Sequence, residues 1–216
     1  MTGRLASELA RVFGDPLVPP RAVVRVQVGE GRGLAAGREE ADRLVDAGAD
    51  LVVLDAATRG PGPLVVLALL LDLDPVTAVG TTTDEGWREL VLDVRSTLRT
   101  ARPFLGDPEG LLAHLDDGAL GRVVGLLERL GSRRTAVLVG GGTTAAAAAL
   151  VASRLAPAAT ERWLPGSVPL HAPAAQAWRS LGLTPLLDLG LGEGNVDVAA
   201  AVVRVGLEQI LEQLGA

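Results

Sequence analysis

Glu193 is the residue whose neighbours best equip it for chemistry. It stands in LGLTPLLDLGLGEGNVDVAAAVVRVG, the stretch from Leu181 to Gly206. An apolar run from Pro185 to Leu189 reads as a buried parallel strand, and Gly190, Gly192 and Gly194 form a permissive turn. Apolar residues at helical spacing from Ala199 to Leu214 then predict an amphipathic helix. A carboxylate among leucines can serve as a general base when burial raises its pKa, while a helix N-terminus acts in the opposite sense. Capping of the following helix is the structural alternative, and Asn195 shares the turn.

A second strand–turn–helix lies in RRTAVLVGGGTTAAAAALVASRLAP. Gly140, Gly141 and Gly142 would let backbone amides approach a phosphate, with Thr143 or Thr144 as N-cap and the helix dipole favouring an anion. The turn lacks the lysine of a P-loop, and glycine also serves plain turn geometry. Asp55 ends a strand, LVVLD, and so points toward the ligand side of an open α/β sheet or caps the next turn. Gly29 to Gly33, GEGRG, reads as a loop. His114 sits at a helix end and His171 in a loop; with two histidines and no cysteine, no metal site is expected.

Alternating strands and helices must hold these turns in place. The first thirteen residues predict a helix packing as an arm, closed by GDPLVPP, so that residues 1–20 form a helical extension. Strands follow over Ala22 to Val28 and Ala49 to Asp55, joined by a helix over Gly37 to Ala47. The apolar run Leu64 to Leu71 predicts a buried helix. TTDE at Thr82 to Glu85 fits a capping box, Asp107 precedes Pro108 as a second start signal, and Asp117 caps a third helix through Leu130. The middle third is therefore helical. Thr135 to Val139, a segment near Trp163 and a helix over Ala172 to Leu181 complete an α/β fold with a mostly parallel sheet.

Composition excludes several classes. Aromatic residues make up only 2% of the 216 residues, against 48% hydrophobic, so the core is Ala, Val and Leu and there is no base-stacking platform. A net charge of -6 with no basic run disfavours nucleic acid. The longest apolar run falls far below the roughly 20 residues that span a bilayer, so no membrane partner is expected. Absence of cysteine fits a reducing cytoplasm, and the first residues do not read as a signal peptide.

The order of motifs resembles the nicotinate-nucleotide:dimethylbenzimidazole phosphoribosyltransferase family. Gly48 to Leu51, Leu73 to Gly86, Val137 to Pro157 and Leu181 to Gly194 carry the likeness, ending in LGEG. The resemblance implies a single Rossmann-like three-layer domain over residues 1–216, working without metal or cofactor. It implies transfer of phosphoribose from nicotinate mononucleotide to a benzimidazole nitrogen, with Glu193 as the base taking the azole proton. Substrate contacts are expected from Asp55, Arg59, Gly60, Gly140, Gly141, Gly142, Thr143, Thr144, Gly192, Gly194 and Asn195. The family's glycine-Asn-Thr-Thr phosphate motif is replaced by DAATRGPGP, where Arg59 is the substitute anion contact, and roughly the first third of the family sequence is missing. These departures leave a second reading, a non-catalytic binding or regulatory subunit. The partners expected are a nucleotide and an aromatic base, within a homodimer or a heteromer with a longer family paralogue.

Overall fold

The protein is seen in a computed structural model that describes residues 2–13, 20, 22–28, 33–56, 58, 60–80, 86–188 and 197–205. Among the described residues four short strands, β1 (Val23–Gln27), β2 (Leu51–Asp55), β3 (Ala136–Gly140) and β4 (Trp163–Pro165), form one parallel sheet in the order β1-β2-β3-β4. The register aligns Gln27 with Asp55 and Asp55 with Gly140, so the carboxyl ends of the first three strands finish level.

Strand order dictates the layering. Each strand is added on the same side of the last, and right-handed crossovers then put every connection on one face of the sheet. That face carries α2 (Gly33–Asp46), α3 (Gly62–Leu70), α4 (Pro75–Val79), α5 (Trp87–Ala101), α6 (Pro108–Leu115), α7 (Gly118–Ser132) and α8 (Gly142–Leu155), with α9 (Ala172–Ser180) packed on α8. The larger core lies among them. The opposite face is covered by the two ends of the chain. There α1 (Thr2–Phe13) contributes Leu9 and Val12, and helical residues 197–205 contribute Ala199 and Val203, against Leu51, Val53, Leu138 and Leu164. Three layers result, one thick and one thin.

Several start signals act as expected. Asp107 Oδ1 accepts from Gly110 N and Asp117 Oδ1 from Leu120 N, both at 2.9 Å, which satisfies helix-end amides. The run from Leu64 is buried in α3 because that helix is covered by α5 and α8. Arg11 of α1 donates to the carbonyls of Glu161 and Trp163, both at 2.9 Å, pinning the arm beside β4. Trp163 is fully buried and donates from Nε1 to Leu127 O, linking β4 to α7.

Other expectations are corrected. The strand from Pro185 to Leu189 reduces, within the described residues, to one isolated parallel bridge between Ser167 and Leu187. Pro185 has no N–H to extend a ladder, and the segment is held by Leu186 N to Pro165 O and Leu187 N to Gly166 O. Neither Thr143 nor Thr144 is an N-cap: Gly141 takes that position, and both threonines lie in the first turn of α8. Gly33 is helical, so α2 begins four residues ahead of the expected Gly37. The short helix α4 was not anticipated, although Asp74 caps it and Pro75 opens it. The capping box at Thr82 to Glu85 lies outside the described residues.

Candidate ligand site at the carboxyl edge of the sheet

The loop after β2 and the start of α8 meet above the level strand ends. Gly141 has φ +107°, and a Cβ there would collide with the backbone of Ala56. Glycine is required at this position for both reasons. The N-cap residue Gly141 has no side chain to engage the amides of the first turn of α8. Thr144 is almost wholly buried, and its hydroxyl lies 2.8 Å from that of Thr58. This hydrogen bond ties the loop after β2 to α8. Beyond Thr58 the chain turns at Gly60, φ +147°, toward Asp117 and the start of α3.

Asp55 is 7% exposed, and its Oδ1 is enclosed with no hydrogen-bond partner. Its Oδ2 lies 3.7 Å from Arg25 Nη2, and Arg25 Nη1 lies 2.8 Å from Asp197 Oδ1. A buried carboxylate oxygen lacking a donor is costly unless a ligand or structural group engages it. The same side of the sheet presents Gly166, whose missing side chain admits Ala199 closely.

The start of α3 has a different character. Pro61 is its N-cap and Pro63 follows in its first turn, which removes amide donors. A Cβ on Gly62 would fall 2.5 Å from Asp117 Oδ2, so a carboxylate already faces this helix end. A cleft of about 510 Å³ adjoins it, walled by Gly33, Asp116, Asp117, Gly118 and Gly121. A second cleft, about 550 Å³, runs past Phe13, Pro20, Arg133 and Thr135 at the amino edge of the strands, away from these turns.

The structure thus brings Asp55, Gly140, Gly141, Gly142, Thr143 and Thr144 to one edge, and sets Gly60 toward α3. Arg59, Gly192, Glu193, Gly194 and Asn195 lie outside the described residues. His171 is the N-cap residue of α9, with its ring against Gly80, and His114 stacks on Phe104 at 5.0 Å between centroids. Among the described residues no group of three or more His, Cys, Asp or Glu could hold a metal ion, and no helix is long and apolar enough to cross a membrane. Arg25 and Thr58 escaped the sequence reading. Arg25 left a signal, being a charge two residues before Gln27 in an apolar strand, and so on the same side as Asp55 in the register.

A parallel sheet with helices packed on it, a glycine-opened helix and a buried acid at its carboxyl edge place the chain in the α/β class. A family model described as Phosphoribosyltransferase matches residues 27–208. The nicotinate-nucleotide–dimethylbenzimidazole phosphoribosyltransferase of Mycobacterium tuberculosis is 41% identical over 187 residues, covering 81% of this chain and 50% of that protein. Its Mycobacterium leprae counterpart is 34% identical over 213 residues, covering 89% and 60%. The crystal structure of CobT from Thermus thermophilus superposes with a TM-score of 0.69 at 27% identity, covering 81% of this chain and 54% of that one. The chain belongs to the nicotinate-nucleotide–dimethylbenzimidazole phosphoribosyltransferase family. It spans about half the length of the curated relatives it matches.

Proposed function

We propose that this chain is a phosphoribosyltransferase of cobalamin lower-ligand synthesis, moving phosphoribose from nicotinate mononucleotide to a benzimidazole-type base. The observation that carries the reading is the glycine-opened start of α8 beside the buried Asp55, inside the segment shared with the family. Phosphate suits the α8 amides and the dipole behind them. The carboxylate-faced start of α3 suits it poorly, which fits the loss of the family's phosphate motif there. Asp55 offers an acceptor for a ribose hydroxyl.

In the reaction one azole nitrogen bonds to the ribose carbon as the bond to nicotinate breaks, and the second ring nitrogen gives up its proton. Glu193 is the group we assign to take that proton. Anchoring the phosphate holds the ribose carbon in line, and removing the proton strengthens the nucleophile. The further contacts proposed are Arg59 and Gly60 in the loop after β2 and Gly192, Gly194 and Asn195 around the base. We also assign a cytoplasmic location, a single domain and self-association, with a longer paralogue as the other candidate partner.

Glu193→Gln separates binding from turnover. Calorimetry should show nicotinate mononucleotide bound with unchanged affinity, while product formation falls by about 10²-fold or more. Binding without turnover in the unmodified protein would convert the assignment to a binding or regulatory subunit. No binding of nucleotide or base at millimolar concentration would remove the substrate assignment.

A further inference from the structure

We propose that Thr58 is a ligand-contacting hydroxyl that donates to a phosphate oxygen at the start of α8, and that Thr144 is the positioning residue that orients it; this rests on reading that helix end as the phosphate site. Thr144 lies in the first turn of α8 and is only 1% exposed. Its hydroxyl proton needs an acceptor, because a buried donor left unpaired loses its hydration without compensation. Among the described residues two acceptors meet it, both on Thr58: Oγ1 at 2.8 Å and the carbonyl oxygen at 3.4 Å. The first is an ordinary O–H···O length and the second is too long for one. Thr144 is therefore the donor, and Thr58 Oγ1 accepts.

That direction leaves the Thr58 proton uncommitted. A hydroxyl carries one proton and two lone pairs, so accepting from Thr144 does not occupy its own O–H. Thr58 is half-buried, and its hydroxyl has no second hydrogen-bond partner among the described residues. It stands beside the first turn of α8, on the edge where Asp55 Oδ1 is enclosed without a donor. The Asp55 carboxylate repels a phosphate and suits the sugar end of a nucleotide. The phosphate end then falls to the α8 amides, the helix dipole and one side-chain donor. Thr58 is the one hydroxyl side chain in DAATRGPGP, residues 55–63. Accepting a hydrogen bond makes a hydroxyl a stronger donor, so Thr144 acts on the ligand through Thr58.

Calorimetry with nicotinate mononucleotide and with inorganic phosphate tests this. Thr58→Val should weaken both by about tenfold or more, and Thr58→Ser, which keeps the hydroxyl, should stay within about threefold of the unmodified protein. Thr144→Val keeps the volume and removes the donor; it should weaken both ligands, and Thr58→Val combined with Thr144→Val should bind no more weakly than Thr58→Val alone. Equal affinity in Thr58→Val and the unmodified protein would overturn the proposal and leave the phosphate reading standing. Losses that add in the double variant would overturn the action of Thr144 through Thr58. Phosphate bound without the nucleotide would defeat the functional assignment, and the phosphate affinities would still decide the role of Thr58. Neither ligand bound at millimolar concentration would overturn both. Should circular dichroism show Thr144→Val unfolded, the Val and Ser variants of Thr58 decide the contact by themselves.

Discussion

Gly141 shows how one residue shapes both the fold and the proposed site. Its positive φ and its closeness to Ala56 leave no room for a side chain where α8 leaves the sheet. We predict that Gly141→Ala destabilises the protein by about 2–4 kcal/mol, because left-handed strain and a backbone collision act together. Denaturant unfolding measures the loss, and a change below about 0.5 kcal/mol would contradict the geometry. Sequence showed a glycine turn here but offered a threonine as cap. A hydroxyl can cap only where the backbone places it, and the collision with Ala56 puts glycine at the cap instead. Thr144 was thereby freed to bond Thr58, a partner 86 positions away that no local pattern could reveal.

Among the helices, α2 and α7 form the most intimate pair. A Cβ on Gly37 would meet the carbonyl oxygen of Arg122, and one on Gly125 would meet that of Leu34. Ion pairs flank this contact: Arg38 with Glu128, Arg122 with Glu40, and Asp42 shared between Arg129 and Arg133. Gly125→Ala should force the helices apart at a cost of about 3 kcal/mol. For a domain of this size that lowers Tm by roughly 6–12 °C, whereas Gly106→Ala, with nothing within 4 Å, should leave it nearly unchanged. The periodicity that located α2 and α7 said nothing of this closeness, since a glycine within a helix reads locally as a weakness.

The same pair has a pH signature. The Asp42 carboxylate is held below its ordinary range, chiefly by its hydrogen bond from Arg129. A depressed folded-state value means that its contribution is complete above the unfolded value, about 3.9, and is lost as pH falls through the folded one. Titrating stability downward from pH 5 should therefore show a decline that Asp42→Asn reduces in the acid range. An identical decline in that variant would argue against the pair.

At the scale of the whole molecule, the four strands among the described residues follow one another in the sheet without a reversal of order, so no switch-point crevice arises between them. The ligand site proposed above rests instead on the start of α8 and on Asp55 at the carboxyl edge. Val23 of edge strand β1 and Val198 and Val205 of the helical residues 197–205 are exposed apolar side chains. Self-association is the expected outcome: light scattering at micromolar concentration should give at least twice the 22.2 kDa of the chain. A monomer would favour a longer family partner.

Local sequence determined the α/β class, three of the four strands to within two residues at their ends, the aspartate caps at Asp107 and Asp117, and the glycine turn at β3–α8. Each of these depends on periodicity or on end-group satisfaction within a few residues of chain. Tertiary structure decided what depends on distant partners. It decided that α8 is capped by Gly141, because Ala56 lies against it. It reduced the apolar segment from Pro185 to a single described bridge, because a proline and a short β4 leave little ladder to share. It also set Arg25 between Asp55 and Asp197, three charges separated along the chain by 30 and 142 positions, which parallel register and helix docking alone bring together.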